Sequence, residues 1–372
     1  MTTMPERRAL ESGDRLVVKI GSSSLAQRGG GIDPAAIGRI ADHVCAQWEL
    51  GHPTVLVTSG AVAAGSPALG GRPTELAGLQ VAAAVGQVRL MERYGHAFSE
   101  RGWVAGQVLL TKDILASRSQ YLHARSALDR MLSIGVIPIV NENDTVAVEE
   151  LRLGDNDRLA ALVSHLVGAE LLVLLTDTNG IYRNDPRKVD DAELLDAVRH
   201  TDEVLDEVAR GGKGPLGSGG VATKVAAARM AAWSGVPTII ALAAEEDVVL
   251  RAARGEDVGT WVAPHHRSLS ARKLWIAFGQ PASGRITVDA GAADALCHRG
   301  SSLLAVGVVG CTGEFGHGDA VEVYTDDGAM IAKGVTAMDA IRTAAVMGRR
   351  TTELAEGDSL VIHRDNLVVL SG

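Results

Sequence analysis

Strand-like apolar runs recur through the first two thirds of the chain: LVVKI (16–20), TVLVTS (54–59), VAGQVLL (104–110), VIPIVN (136–141), LLVLLTD (171–177) and PTIIALA (237–243). Between them, residues 34–50, 75–101, 113–134, 157–168, 192–209 and 220–234 carry Ala, Leu, Val and Ile at helical spacing. Strands alternating with helices predict parallel βαβ units, with helices covering both faces of one sheet. Four of the strands run straight into polar residues: Lys19-Ile20-Gly21-Ser22, Thr58-Ser59-Gly60, Asn141-Glu142-Asn143-Asp144 and Thr176-Asp177. Ligands of such sheets gather at the carboxyl ends of strands, so four endings of this kind predict a lined pocket there.

The texture changes past residue 260. A charged, Ser-rich passage suits a boundary, and the short segments RITVDA, LLAVGVVG, AVEVYTD, MIAKGV and SLVIHRDNLVVL come after it, separated by Gly and Asp turns. The expected organisation is an α/β domain over 1–265, a linker over 266–280 and a small β-rich domain over 281–372. A length of 372 residues is more than one core usually holds, which agrees with two domains.

Composition narrows the class. Aromatics make up 3% of residues against 46% hydrophobic overall, which suits close-packed helices on a parallel sheet. The net charge of −9 gives no general attraction to nucleic acid or anionic lipid, so any phosphate site must be local. Cys45, Cys297 and Cys311 have no paired metal-ligand spacing and fit a reducing compartment. The N-terminus has no apolar signal core, and no long uncharged apolar run occurs, so the expectation is a cytoplasmic protein without a membrane anchor.

The chemistry concentrates in five stretches. Lys19 at a strand end, followed by Gly21-Ser22-Ser23-Ser24, offers a cation, an approachable backbone and hydroxyl donors, as a phosphate requires. GPLGSGGVATK (214–224) leads into a helix, so its backbone N–H groups, Thr223 and Lys224 form a second phosphate-type element. The chain has no GxxxxGK[ST] loop, and GKGPLG (212–217) comes after a helical stretch rather than a strand, which disfavours both the P-loop and the dinucleotide-binding readings.

NENDTVAVEELRLGDNDRLAALVSHL (141–166) clusters Asn141, Asn143, Asp144, Asp155, Asn156 and Asp157. Asp155 or Asn156 could cap the next helix, but capping uses one residue and the cluster has six. Such groups can accept an ammonium, orient lysines or meet a nucleotide's magnesium ion. VTSGAVAAG (57–65) lacks the glycines of a serine-hydrolase elbow, and Ser59-Gly60-Ala61 reads instead as a donor turn for a carboxylate. In LLTDTNGIY (174–182), Thr176 and Asp177 can hold an adenine or ribose, and an Asx turn at Asn179-Gly180 accounts for part of the pattern without any ligand.

Taken in order, VVKIGSSSL, VTSGAVAAG, NENDTV, GDNDRLAALVS, LLTDTNGIY and SGGVATK resemble the amino acid kinase family over residues 16 to about 262, and within it the kinases of the L-glutamate side chain. The ordered NEND and GDND pair is the specific part. Residues from about 281 resemble the PUA domain that many bacterial kinases of this kind carry.

The resemblance implies an αβα sandwich around a mainly parallel sheet. It implies transfer of the ATP γ-phosphoryl group to the γ-carboxylate of L-glutamate, the opening step of proline synthesis. Mg²⁺ would arrive with the ATP phosphates, proline would inhibit, and a dimer or tetramer is usual.

Carried over by position, Lys19 and Lys224 would flank the moving phosphoryl group and Asp157 would hold them. Ser59, Gly60, Asn141, Asp144, Asp155 and Asn156 would bind glutamate. Lys19, Gly21, Ser22, Thr176, Asp177, Ser218, Gly219, Gly220, Val221, Ala222, Thr223 and Lys224 would bind ATP, Val221 standing where the family often has Met.

Within the class, aspartate, N-acetylglutamate or carbamate are alternative acceptors, and the acidic cluster favours one with a free ammonium. An RNA-binding role for the C-terminal domain is disfavoured by its balance of seven basic against twelve acidic residues from 281 onward.

Overall fold

The computed structural model describes residues 4, 6–27, 30–111, 114, 117–146, 156–189, 191–211, 220–266, 268–355 and 357–370. The chain divides into two compact units, Met1–Ser268 and Leu269–Gly372.

In the first unit the elements run β1 (Leu16–Ile20), α1 (Ser22–Leu25), α2 (Pro34–Glu49), β2 (Thr54–Thr58), α3 (Ala61–Gly65), α4 (Leu76–Glu100), β3 (Val104–Leu110), α5 (Arg118–Ser133) and β4 (Val136–Glu142). They continue with α6 (Asp157–Val167), β5 (Leu171–Thr176), β6 (Ala197–Arg199), α7 (Glu203–Gly211), α8 (Val221–Trp233), β7 (Thr238–Leu242), α9 (Val248–Ala253) and β8 (Thr260–Ala263). Among the described residues the strands form one sheet in the order β3-β4-β2-β1-β5-β7-β8-β6. It is parallel from β3 to β7, as the βαβ pattern requires, and β8 then pairs antiparallel with β7. Helices cover both faces: α2, α4 and α9 share a core with Leu16, Val18, Ile20, Val173 and Leu175 on one side, while α6 and α8 pack together on the other.

Two local devices fix the helices beside the strand ends. Asp33 caps α2 by accepting from the Ala35 N–H at 3.0 Å, with Pro34 at the first helical position. Helices α3 and α4 meet backbone to backbone: a Cβ on Gly65 would stand 1.9 Å from the Ala82 carbonyl oxygen, and one on Gly86 1.8 Å from that of Ala61. No other residue fits at either position.

The expected helix over 192–209 is not formed as read. Strand β6 occupies 197–199, the Asp202 side chain accepts from the Arg199 N–H at 2.8 Å and closes a turn, and α7 begins only at Glu203. Strands β6 and β8 were not expected from the sequence; at three and four residues they are too short for a period to emerge.

The second unit comprises α10 (Ala271–Leu274) running into a π-helical turn at Trp275–Gly279, then β9 (Gly284–Val288), α11 (Ala290–Arg299), β10 (Leu303–Leu304), β11 (Val308–Gly313) and β12 (Ala320–Thr325). After these come β13 (Met330–Val335), α12 (Ala340–Val346), β14 (Leu360–Ile362) and β15 (Leu367–Val369). Its main sheet has the order β11-β9-β12-β13-β15, and β10 pairs with β14. Much of the stretch expected as a linker, 266–280, is therefore helical: Ile276 and Ala277 are buried with Val368, and the buried Lys333 ammonium donates to the carbonyls of Ala277 (3.3 Å) and Gln280. The Ser and charge content that suggested a boundary belongs to residues at the start of this compact unit.

Candidate active site

The strand order sets the place of the site. From β1 the chain passes outward through β2, β3 and β4 on one side and returns to β5 on the other side of β1. The carboxyl ends of β1 and β5 therefore flank the switch point, where the connections diverge and a crevice opens.

Lys19 lies in β1 beside Val57 of β2 and Leu174 of β5, and is 2% exposed. Its neighbours Val18 and Ile20 face α2, so the two-residue strand period turns Lys19 to the opposite face, toward α6 and α8. There Asp157, the first residue of α6, is fully buried. Its Oδ1 accepts from Lys19 Nζ and its Oδ2 from Lys224 Nζ at 3.2 Å, and Lys224 is itself buried in the first turns of α8. The Thr223 hydroxyl reaches the same Oδ2 at 3.1 Å and the Gly220 carbonyl at 2.7 Å. Two ammoniums on one carboxylate leave these three groups with a net positive charge in a place shielded from water, which suits an anion. A methyl group built on Gly21 would stand 3.5 Å from Lys19 Nζ, so the backbone at the end of β1 passes close to that cation.

A chain of side-chain amides leads away from this centre. Asn156, next to Asp157, does not cap α6 with its side chain. Its Nδ2 donates instead to the Thr58 carbonyl (2.5 Å) and to Asn141 Oδ1 (2.6 Å). Asn141, in β4, also accepts from the Glu142 N–H at 2.9 Å and donates through Nδ2 to Gln87 Oε1 of α4 at 2.7 Å. Asp144, half buried, lies in the turn after β4, where the Asn143 N–H donates to the Leu110 carbonyl at 2.8 Å and ties that turn to β3.

Ser59 and Gly60 sit at the end of β2, beside Thr58. Gly60 has φ 106°, which a residue with a side chain adopts only under strain, and a Cβ there would crowd Ile32 at 3.1 Å. Ser59 is 5% exposed and its hydroxyl has no partner among the described residues. Behind it, the Thr58 hydroxyl meets the Tyr94 hydroxyl of α4 at 2.9 Å, and complete burial pushes the Tyr94 phenol pKa up. Gln87 and Tyr94 were missed from the sequence. The one signal for Gln87 was a polar residue beside a glycine inside an otherwise apolar helix, AAAVGQV.

At the end of β5, buried Thr176 donates through its hydroxyl to the exposed Asp177 carboxylate at 3.1 Å. Both line a cavity of about 270 Å³ with Ile20, Ser24, Arg39 and Ala243, covered by α2. Ile20 and Leu175 turn toward α2 in this cavity, whereas Thr176, two residues after the Leu174 that pairs with Lys19, lies on the Lys19 side of the sheet, so the end of β5 borders both the cavity and the lysine side. Ser22 opens α1 directly after Gly21, and Gly220, Val221 and Ala222 lead into Thr223 and Lys224. Asp155, Ser218 and Gly219 lie outside the described residues. Among the described residues no group of three or more His, Cys, Asp or Glu side chains could hold a metal ion, and no helix is long and apolar enough to cross a membrane.

An open α/β sheet with buried lysines converging at its switch point defines a phosphotransferase-type crevice, and comparison with known proteins agrees. Residues 14–241 match the profile of the amino acid kinase family, and residues 284–357 that of the PUA domain. A glutamate 5-kinase of Marinomonas sp. (strain MWYL1) is 43% identical over 99% of this chain and 100% of its own length. One from Mycobacterium tuberculosis (strain H37Rv) is 44% identical over 99% of this chain and 97% of its own, and one from Bordetella petrii 43% over 96% and 97%. The chain belongs to the glutamate 5-kinases of the amino acid kinase family.

Proposed function

We propose that the chain transfers the γ-phosphoryl group of ATP to the γ-carboxylate of L-glutamate, giving L-glutamyl 5-phosphate and ADP, with Lys19 and Lys224 on either side of the moving group. The observation that carries this assignment of roles is the sharing of Asp157 by two buried ammoniums from separate elements. A γ-carboxylate oxygen bonds to the γ-phosphorus as the bond to the β–γ bridging oxygen breaks, and charge builds on the three equatorial oxygens. Fixed ammoniums neutralise that charge without having to reorganise. The acceptor carboxylate is already ionised at neutral pH, so the reaction asks for no general base.

Asp157 orients both lysines. Ser59, Gly60, Asn141, Asp144 and Asn156, with Asp155 from the family pattern, bind glutamate; Ser59, the backbone at Gly60 and the second N–H of Asn141 suit its carboxylates, and the acids and the Asn156 oxygen its ammonium. Gly21, Ser22, Thr176, Asp177 and the run 218–224 bind ATP. The transferring group would gain further neutralisation from Mg²⁺ carried in on the ATP phosphates. Inhibition by proline, assembly as a dimer or tetramer and a cytoplasmic location are carried by the family resemblance.

The test traps the acyl phosphate with hydroxylamine in the presence of ATP and Mg²⁺. Hydroxamate that forms with L-glutamate, and not with aspartate or N-acetylglutamate, is the expected result. Preferential turnover of another acid would overturn the substrate, and no hydroxamate with any of them would overturn the reaction.

A further inference from the structure

The amide chain has a fixed direction, and its last member is left with an unused donor. The Thr58 carbonyl can only accept, so the Asn156 atom 2.5 Å from it is the NH₂ group. The other N–H of that group then meets Asn141 across 2.6 Å, where the Asn141 atom must be its oxygen, as the Glu142 N–H at 2.9 Å independently requires. Asn141 is thereby left to donate to Gln87, whose nearer atom must be Oε1. Reversing any one amide would set N–H against N–H or oxygen against oxygen. Gln87 Nε2 is consequently the terminal group; it is shut off from solvent and has no partner among the described residues. The Ser59 hydroxyl, in the adjoining loop, is in the same condition.

Buried donors without partners cost free energy, and a protein that keeps two of them in its substrate crevice gains from whatever fills them. Their placement is held firmly. The contact of Gly65 with Gly86 fixes α4, and Gln87 is the next residue after Gly86.

From the lysines outward the order is Lys19, Asp157, Asn156, Asn141, Gln87. The end of the crevice at Gln87 is thus the one remote from the moving phosphoryl group. An acceptor with its reacting carboxylate at the lysines carries its second carboxylate away from them. Donors suit that carboxylate, while Asn156, with both N–H groups spent, keeps its Oδ1 as an acceptor for an ammonium.

We propose that Gln87 is a specificity residue that binds the α-carboxylate of the acceptor through Nε2, alongside the Ser59 hydroxyl. This rests on L-glutamate being the acceptor. Gln87 also orients Asn141 through Oε1, and the two roles separate on substitution. Gln87→Glu keeps an oxygen for Asn141 and removes the donor, whereas Gln87→Met removes both.

The experiment measures steady-state kinetics of the full-length wild type and both variants with L-glutamate, together with inhibition by 4-aminobutyrate, which is glutamate without its α-carboxylate. In both variants the glutamate KM is expected to rise about tenfold or more, with kcat and the ATP KM within about threefold of wild type. The inhibition constant of 4-aminobutyrate is expected to change by less than about threefold in Gln87→Glu, because that ligand has no group for Gln87 to hold, and to rise in Gln87→Met only as far as Asn141 loses its acceptor, by less than the glutamate KM does. An unchanged glutamate KM in Gln87→Glu overturns the proposal. So does an equal loss for both ligands, or loss of the fold in both variants, since either marks a purely structural role. A wild type without glutamate-dependent turnover would be a failure of the proposed function instead, visible before any variant is made.

Discussion

Lys19 and Lys224 reach the two oxygens of one carboxylate from different elements, a central strand and the start of a helix, and both are buried where they do so. Asp157 is common to both contacts. Replacing it with Asn leaves two buried ammoniums without that counter-charge, and breaking a buried pair in this way typically costs about 3–5 kcal/mol. Asp157→Asn is expected to lower the melting temperature and to reduce kcat by at least about a hundredfold, read by thermal melting and the hydroxamate assay.

Lys224→Ala separates charge stabilisation from acceptor binding. A contact made mainly in the transition state lowers kcat and leaves acceptor affinity alone, so turnover should fall by about two orders of magnitude with glutamate KM little changed. Near-normal turnover in the purified variant would remove Lys224 from the catalytic role.

The contact between α3 and α4 predicts opposite outcomes for two substitutions in the same helix. Gly86→Ala drives a methyl group into the Ala61 carbonyl, and a stability loss of about 3 kcal/mol is expected. Gly95→Ala meets nothing within 4 Å and should stabilise by about 0.5–1 kcal/mol through helix propensity. Urea denaturation of both variants gives the comparison.

His200 gives a pH signature. Its ring is buried against Trp233 and His265, and burial first, then His265 and Arg229, bring its pKa down to about 4, with Asp202 opposing and His266 adding slightly. The unfolded ring takes its proton near 6.5. Between those values the unfolded chain binds the extra proton, so stability rises with pH across the window and is lost as pH falls from 6.5 toward 4. At about 1.4 kcal/mol per unit, His200 accounts for up to about 3 kcal/mol of that loss. His200→Phe keeps an aromatic ring at Trp233 and should lose less stability between pH 6.5 and 4 than wild type. Parallel stability curves would contradict the assignment.

In the second unit, Lys333 donates to the carbonyls of Ala277 and Gln280 at the end of the π-helical turn. Lys333→Met leaves them buried and is expected to cost about 1–3 kcal/mol. Thermal melting of the full-length chain measures it.

Much of the first unit was legible because buried parallel strands and their covering helices write long, regular patterns. The bounds of β1, β3 and α4 lie within a residue of the apolar runs that predicted them. Short strands such as β6 write no pattern, and the helix expected across it failed because a single side chain, Asp202, ends a turn there. The residues of the site were legible as types: lysines, acids and amides at strand ends. Their partners were not. That Asn156 reaches the Thr58 carbonyl across 98 positions instead of capping its own helix depends on β2 and β4 being neighbours, which no local spacing encodes. Gln87 was invisible for the same reason, since one polar residue on a long helix acquires meaning only from what the helix is pressed against.

With no side chain between them, Gly65 and Gly86 make α3 and α4 a single stiff piece. The Ser59–Gly60 turn, which leads directly into α3, is therefore braced against a helix of 25 residues, about 37 Å long, whose far half is anchored in the core by Leu90, Tyr94 and Phe98.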